Sequence, residues 1–184
     1  EPPPECVGGE GRPAGLRARG GAGFPVGIKW ETVRTASADG KFVCCNADEG
    51  DSGTFADRML IEGDPFTLIE GMAIAALAVG ATEGFVYLRS EYPLAITTLR
   101  RAIEICYAHG ILGKSVLGSG RRFDLDVRVG AGAYICGEET SMLESLEGKR
   151  GEVRAKPPIP ALEGLFGRPT VVNHVLTLSA GPTR

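Results

Sequence analysis

The sequence lacks any cysteine pair at metal-ligand or redox spacing, any long apolar run and any dense basic segment. Its five cysteines, Cys6, Cys44, Cys45, Cys106 and Cys136, are scattered, odd in number and free of a C-x-x-C pair. Neither a disulfide framework nor a metal cage is indicated, and a reducing compartment fits best. The longest apolar stretch, Met72 to Val79, falls far short of the roughly twenty residues that span a bilayer, and no signal-peptide pattern precedes it. The expectation is a protein without direct membrane insertion, in the cytoplasm or on the cytoplasmic side of a membrane-attached complex. A formal net charge of −3 and the absence of a Lys/Arg run leave no basic face for nucleic acid. Aromatic residues are also few, at 7%.

Glycine is abundant, with 27 residues in a chain of 184. That length suits one α/β domain with a sizeable core, and the hydrophobic fraction of 43% is that of an ordinary interior threaded by tight backbone passages. The chain opens on Glu1 and Pro2-Pro3-Pro4, which reads as an extended arm over residues 1–14 or a cut made inside a longer protein. Residues 15–184 are read as the domain itself. No internal repeat is visible.

Strand and helix signals alternate along the domain. Five glycines between Gly15 and Gly27 feed a short helix beginning near Ile28-Lys29-Trp30. Lys41 to Cys45 reads as a buried strand that delivers Asn46, Asp48 and Glu49 into a turn. Asp64-Pro65 starts a helix that runs to Ala78 and stops at Gly80. A strand over Gly84 to Arg89 follows. A helix from Pro93, with apolar residues at Leu94, Ile96, Leu99, Ile103 and Ile105, closes at Gly110. Leu125 to Val129 is a third strand, emptying into glycines before a helix from Gly137 to about Glu147. Arg154 to Pro169 must be a loop or strap, and Thr170 to Leu178 fits one more strand or a helix start around Asn173. This alternation predicts an α/β, Rossmann-like fold, a mainly parallel sheet with helices on both faces, whose ligands lie beyond the strands' carboxyl ends.

Taken singly, the candidate motifs each have a plain alternative. Arg19-Gly20-Gly21-Ala22-Gly23-Phe24 can bring backbone amides close to an anion, yet the dinucleotide fingerprint should follow a strand and the Walker lysine is absent. A phosphate loop and a structural turn both stay open. Lys29 can place an ammonium over a phosphate or lie solvated on its helix. Asn46, Asp48 and Glu49 can hold ribityl or ribose hydroxyls or simply form an Asx-turn. Glu138 and Glu139 gain from the helix dipole in any role. There they discourage direct phosphate binding and favour ribose hydroxyls or positively charged cofactor atoms, which predicts discrimination against a 2′-phosphate. His109 reads as a helix C-terminal group and His174 has no metal-ligand partner at sensible spacing; no redox thiol and no metal ligand are assigned.

Together, four ordered blocks carry a resemblance. They are Gly15-Leu-Arg-Ala-Arg-Gly-Gly-Ala-Gly-Phe-Pro-Val-Gly-Ile-Lys-Trp30, Cys45-Asn-Ala-Asp-Glu-Gly50, Gly130-Ala-Gly-Ala-Tyr-Ile-Cys-Gly-Glu-Glu-Thr140 and Lys156-Pro-Pro-Ile-Pro160. The chain from Gly15 to Leu178 resembles the flavoprotein subunit of respiratory complex I and its soluble relatives. The resemblance implies a Rossmann-like domain that holds FMN, takes a hydride from NADH, and passes electrons to iron-sulfur protein subunits of a larger complex. The hard chemistry then belongs to the cofactor, and no catalytic side chain is named.

By that resemblance Arg19, Gly20, Lys29, Asn46, Asp48, Tyr134, Gly137, Glu138 and Asn173 match FMN-contacting positions. Phe24, Glu49, Asp51, Tyr134, Glu139 and Lys156 match positions around NADH, and Gly21 and Gly23 belong to the same glycine loop. Departures are Ala18 for the first loop glycine, Asp51 for a glutamate, Thr32 for an adenine-stacking aromatic, His174 for a second asparagine and Leu176 for an acidic residue. The family's downstream β-grasp domain and iron-sulfur helical bundle are expected to be missing. The stretch from Glu49 to Arg58 is similar to diaphorase subunits of NAD-dependent formate dehydrogenases. The competing expectations are a non-catalytic nucleotide-binding or assembly module and, less favoured, a flavin-free Rossmann dehydrogenase.

Overall fold

A computed structural model of the chain describes residues 15–19 and 23–182; the expected arm over residues 1–14, together with Gly20 and Gly21, lies outside them. Four parallel strands form the sheet. They are β1 (Phe42–Ala47), β2 (Glu83–Arg89), β3 (Asp124–Gly130) and β4 (Thr170–His174), in the order β3-β2-β1-β4. Every residue of β1 is buried, as a central strand covered on both faces requires. Its alternation divides the core. Val43, Cys45 and Ala47 join one apolar cluster, while Phe42 and Cys44 join the other with Tyr87, Met142 and Leu143.

The first cluster is built by helices α1 (Val26–Thr35), α3 (Pro65–Val79), α4 (Pro93–Ala108) and α6 (Val175–Ser179), with α2 (Ala56–Gly63) supplying Ile61. Helix α5 (Glu139–Leu146) covers the opposite face. The expectation of helices on both faces of a parallel sheet therefore holds.

Local signals explain most boundaries. Asp64 accepts a hydrogen bond from the Thr67 N–H and Pro65 occupies the first turn, so α3 starts where its sequence says. Inside α3, Gly71 faces the backbone of Leu178; a Cβ there would lie 2.2 Å from the Leu178 carbonyl oxygen, so the two helices approach backbone to backbone. The buried side of α4 is Ala95, Leu99, Ala102, Ile103 and Cys106, whereas Leu94 is exposed. The bulky residues expected to mark that face thus lie partly off it, because alanines let the helix sit close to its neighbours.

Helix α2 carries no start signal of its own. Phe55 offers no side-chain cap; instead both carboxylate oxygens of Glu49 accept from the Asp57 and Arg58 N–H groups. The tail from Thr170 realises both expectations for it, β4 followed directly by α6.

The segment between α5 and β4 is the expected strap, with cis peptides at Lys156-Pro157 and Pro157-Pro158. Arg154 ties it down, pairing with Glu144 and Glu147 of α5 and donating to the Gly164 carbonyl. Among the described residues no helix is long and apolar enough to cross a membrane, and no group of His, Cys, Asp and Glu is arranged to hold a metal ion.

Candidate functional site

Strands β1, β2 and β3 are added in one direction and β4 is then laid on the other side of β1. The carboxyl ends of β1 and β4 therefore border a topological switch point, where an open α/β sheet leaves a crevice for ligands. A cavity of about 600 Å³ lies there, with Asn46 from β1 and His174 from β4 in its wall. That volume is within the roughly 300–1,000 Å³ of small-molecule and cofactor sites.

Three separate stretches bring expected residues to this cavity. Arg19 comes from the glycine loop, Asn46, Glu49 and Asp51 from the turn after β1, and Tyr134, Gly137 and Glu138 from the passage between β3 and α5. On either side of the glycine loop, Arg17 and Pro25 form an antiparallel bridge. Ala18 donates to the Phe24 carbonyl at 2.9 Å, and the Arg19 N–H donates to the Thr177 hydroxyl at 2.9 Å, tying the loop to α6. Gly23 and the half-exposed Phe24, just before Pro25, do not line the cavity.

Asn46 is almost wholly buried and bridges two walls, donating to the Gly137 carbonyl at 2.8 Å and accepting from the Asp48 N–H at 3.2 Å. Asp48 turns instead into an adjoining hollow of about 160 Å³ lined by Gly50, Arg89, Glu91, Gly132 and Tyr134. Burial raises the Asp48 carboxyl above its ordinary range, with Arg89 opposing. Tyr134 lies exposed at the mouth, its hydroxyl donating to Asp51 at 2.9 Å. Its ring passes over Gly50, where an added Cβ would stand 3.0 Å from a ring carbon.

Glu138 caps α5. One carboxylate oxygen accepts from the Thr140 and Ser141 N–H groups at 2.8 and 3.0 Å, and the other accepts from Lys156 at 2.9 Å. Burial pushes its pKa up, but the Thr140 hydroxyl and Lys156 outweigh it, and the carboxyl lies below its usual range. For Lys156, burial is likewise outweighed by Glu139 and Glu138, and its pKa is raised. Lys29, Glu139 and Lys156 do not line the cavity; they form one ion cluster with Glu138, Lys29 standing 3.6 Å from Glu139 and donating to the Val172 carbonyl at 3.0 Å. Asn173 lies behind the wall, accepting from the Trp30 indole N–H at 3.0 Å.

Gly50, Thr54, Ala56, Asp57 and Ile135, which the sequence did not single out for the site, also line it, together with His174 and Leu176, named from the sequence only as departures from the family. Asp57 has the most unusual chemistry among them. It is nearly buried, and its carboxyl is pushed up to about 7 by burial and then by Glu49, with the Leu176 N–H opposing. Asp57 lies inside the family-like stretch from Glu49 to Arg58, but only the fold, which brings α2 to the cavity, shows that it belongs to the site. Arg89 was also missed. It donates to the Glu49 carbonyl and to Glu91 and stacks on the Tyr92 ring. Glu49 itself has a φ of 37°, so its turn is held against a conformational cost at both its carboxylate and its carbonyl.

The donor set suits a mononucleotide with a large ring: a cation at Arg19 for a phosphate, an amide and carboxylates for hydroxyls, and apolar walls at Ile135 and Leu176. Residues 12–182 match the Nuo51 FMN-binding domain of the Complex1_51K family. The chain belongs to that family. It is 55% identical over 167 residues to an NADH-quinone oxidoreductase subunit of Rhizobium meliloti, covering 91% of this chain and 40% of that protein. It is 53% identical over 169 residues to the NADP-reducing hydrogenase subunit HndC of Solidesulfovibrio fructosivorans, covering 92% of this chain and 34% of that one. Among solved structures, an NAD+-reducing [NiFe]-hydrogenase in the H2-reduced state superposes with a TM-score of 0.89 at 44% identity, over 98% of this chain and 30% of that chain. The chain thus spans 40% or less of the length of each of these relatives. Membership of the Nuo51 FMN-binding domain family agrees with the resemblance carried by the four sequence blocks.

Proposed function

We propose that this chain is the FMN- and NADH-binding module of an NADH dehydrogenase, or diaphorase, that passes electrons to iron-sulfur protein subunits of a larger complex. The observation that carries this reading is the cavity at the switch point, where Arg19, Asn46, Glu49, Tyr134 and Glu138 converge from three of the four blocks, with Asp51 beside them. FMN, when bound, would accept hydride at its ring N5 and give up electrons singly.

In this reading the chain's own residues bind and orient. Arg19 and the glycine loop hold the phosphate, while Asn46 and the turn after β1 take the ribityl hydroxyls, with Asp48 behind that turn in the adjoining hollow. Tyr134 and Asp51 define the entrance for the nicotinamide nucleotide. Glu138, Glu139, Lys29 and Lys156 neutralise one another in pairs, which fixes the start of α5 and leaves carboxylate oxygens facing a ribose rather than an extra phosphate. A cytoplasmic setting, or the cytoplasmic side of a membrane-attached complex, fits a hydride donor from the soluble nucleotide pool.

The test is reconstitution. Protein incubated with FMN and desalted should stay yellow, and anaerobic NADH should bleach the flavin band. Protein that stays colourless would sink the reading. FMN uptake without bleaching would favour the alternative, a nucleotide-binding or assembly module. That alternative draws support from Thr32, whose hydroxyl is spent on the Ile28 carbonyl of its own helix where the family carries an aromatic.

A further inference from the structure

Asp57 is a carboxylic acid in the first turn of α2 that lines the wall of the cavity. Its helix is started by Glu49, whose carboxylate accepts the Asp57 N–H at 2.9 Å and so stands close to the Asp57 side chain. Its residue surface is 7% exposed, yet it lines the cavity, so its contact with solvent runs through that space. Resting on the FMN and NADH reading above, we propose that Asp57 is a proton-holding residue of the site, taking up a proton from solvent when charge in the cavity becomes more negative and returning it when that charge leaves.

The charged surroundings of Asp57 support this role. On the turn after β1 stands Glu49, whose charge adds to the effect of burial, and on β1 itself the buried Cys45, a thiol that burial keeps neutral. On its own helix, Arg58 faces away over the Tyr92 ring at the start of α4, a ring it shares with Arg89. Helix α6 contributes only the Leu176 N–H, and the nearest acidic residue of α3, Glu70, is exposed. Across the cavity stand Arg19, Glu138 and His174. No side-chain cation pairs directly with Asp57 among the described residues, so its charge is poorly compensated. A carboxyl pushed up to about 7 is half-protonated near neutral pH and responds to any further negative charge beside it.

The balance follows from hydride transfer. One C–H bond of the dihydronicotinamide breaks and its hydride, two electrons and one proton, is bonded to the flavin. NAD+ departs with a positive charge, and the cavity keeps one negative charge more than before. Asp57 answers by binding one proton from solvent, its carboxylate becoming a carboxylic acid. When two electrons pass onward, the proton from the hydride and the proton on Asp57 both return to solvent.

The test uses the FMN-loaded full chain. Redox-difference infrared spectra, taken anaerobically at pH 7 with NADH as reductant, should show a protonated-carboxyl band that grows on reduction and is lost in Asp57→Asn. Proton uptake on reduction, read with a pH dye, should fall in the same variant. Asp57→Glu keeps the acid and should shift the band rather than remove it, which preserves the test if Asn weakens folding or FMN retention. A band and an uptake unchanged in both variants overturn the proposal. Colourless protein overturns the cofactor reading and this one together, whereas yellow protein bleached by NADH but lacking any Asp57-dependent band overturns this one alone.

Discussion

The hydroxyl of Tyr134 donates to the Asp51 carboxylate at 2.9 Å, joining two turns that lie 83 residues apart in sequence. The bond closes one side of the cavity mouth with the Tyr134 ring laid across Gly50. It also raises the tyrosine pKa, because Asp51 as acceptor and charge favours the neutral phenol. Tyr134→Phe keeps the ring and loses the bond. The KM for NADH should rise by roughly threefold with little change in FMN retention, as steady-state kinetics of the reconstituted protein would record.

Glu138 is spent on the start of α5 and on Lys156. Glu138→Gln should cost about 1 kcal/mol of stability at pH 7, read by urea unfolding. Its folded-state pKa is lowered, so its contribution is fully present above the unfolded value and is lost as pH falls through the folded one. The gap between wild type and variant should therefore close below about pH 4.

The sign is opposite for Asp57. Its pKa is raised to about 7, so the folded chain holds a proton that the unfolded chain releases from about pH 4 upward. Stability is lost as pH rises between those values, and the penalty is complete above about 7. Asp57→Asn should be more stable than wild type at pH 8, by on the order of 2 kcal/mol after allowing for water in the cavity. It should be no more stable at pH 4. Thermal unfolding at the two pH values checks both statements.

Arg89 fixes the turn after β1 by donating to the Glu49 carbonyl while Glu91 holds its other nitrogen at 2.8 Å. Arg89→Met removes a charge-assisted bond to the Glu49 carbonyl worth about 1.5–3 kcal/mol and a solvent-screened pair with Glu91 worth about 1 kcal/mol or less, and should raise the FMN dissociation constant by about tenfold. Arg89→Lys should recover only part, since one ammonium lacks the planar fork that reaches both partners. Fluorescence titration of FMN into apo-protein distinguishes the three proteins.

The frame of the fold was readable because its punctuation is local. Asp64-Pro65, Gly80 and Pro93 announce their helices in the residues beside them, and β1 is an apolar run that ends in polar ones. Helix α2 was not readable, for its cap is Glu49, six residues before Phe55 and across a turn. Within the site, Arg19, Asn46, Glu49, Asp51, Tyr134, Gly137 and Glu138 stand out by motif and line the cavity. Lys29, Glu139, Lys156 and Asn173 sit one layer back in ion pairs and hydrogen bonds that no spacing rule contains. Asp57 and Arg89 owe their roles to burial and to partners on other elements, which exist only once the sheet has assembled.

Gly71 never sees the cavity, yet the distance between α3 and α6 is set by its missing side chain. Leu176 and Thr177 stand on α6, one in the cavity wall and the other holding the glycine loop through Arg19. A single methyl group at position 71 would act as a wedge at the back of the molecule, shifting the ledge on which the front-side loop rests. Ligand affinity here is thus hostage to a spacer on the far side of α6.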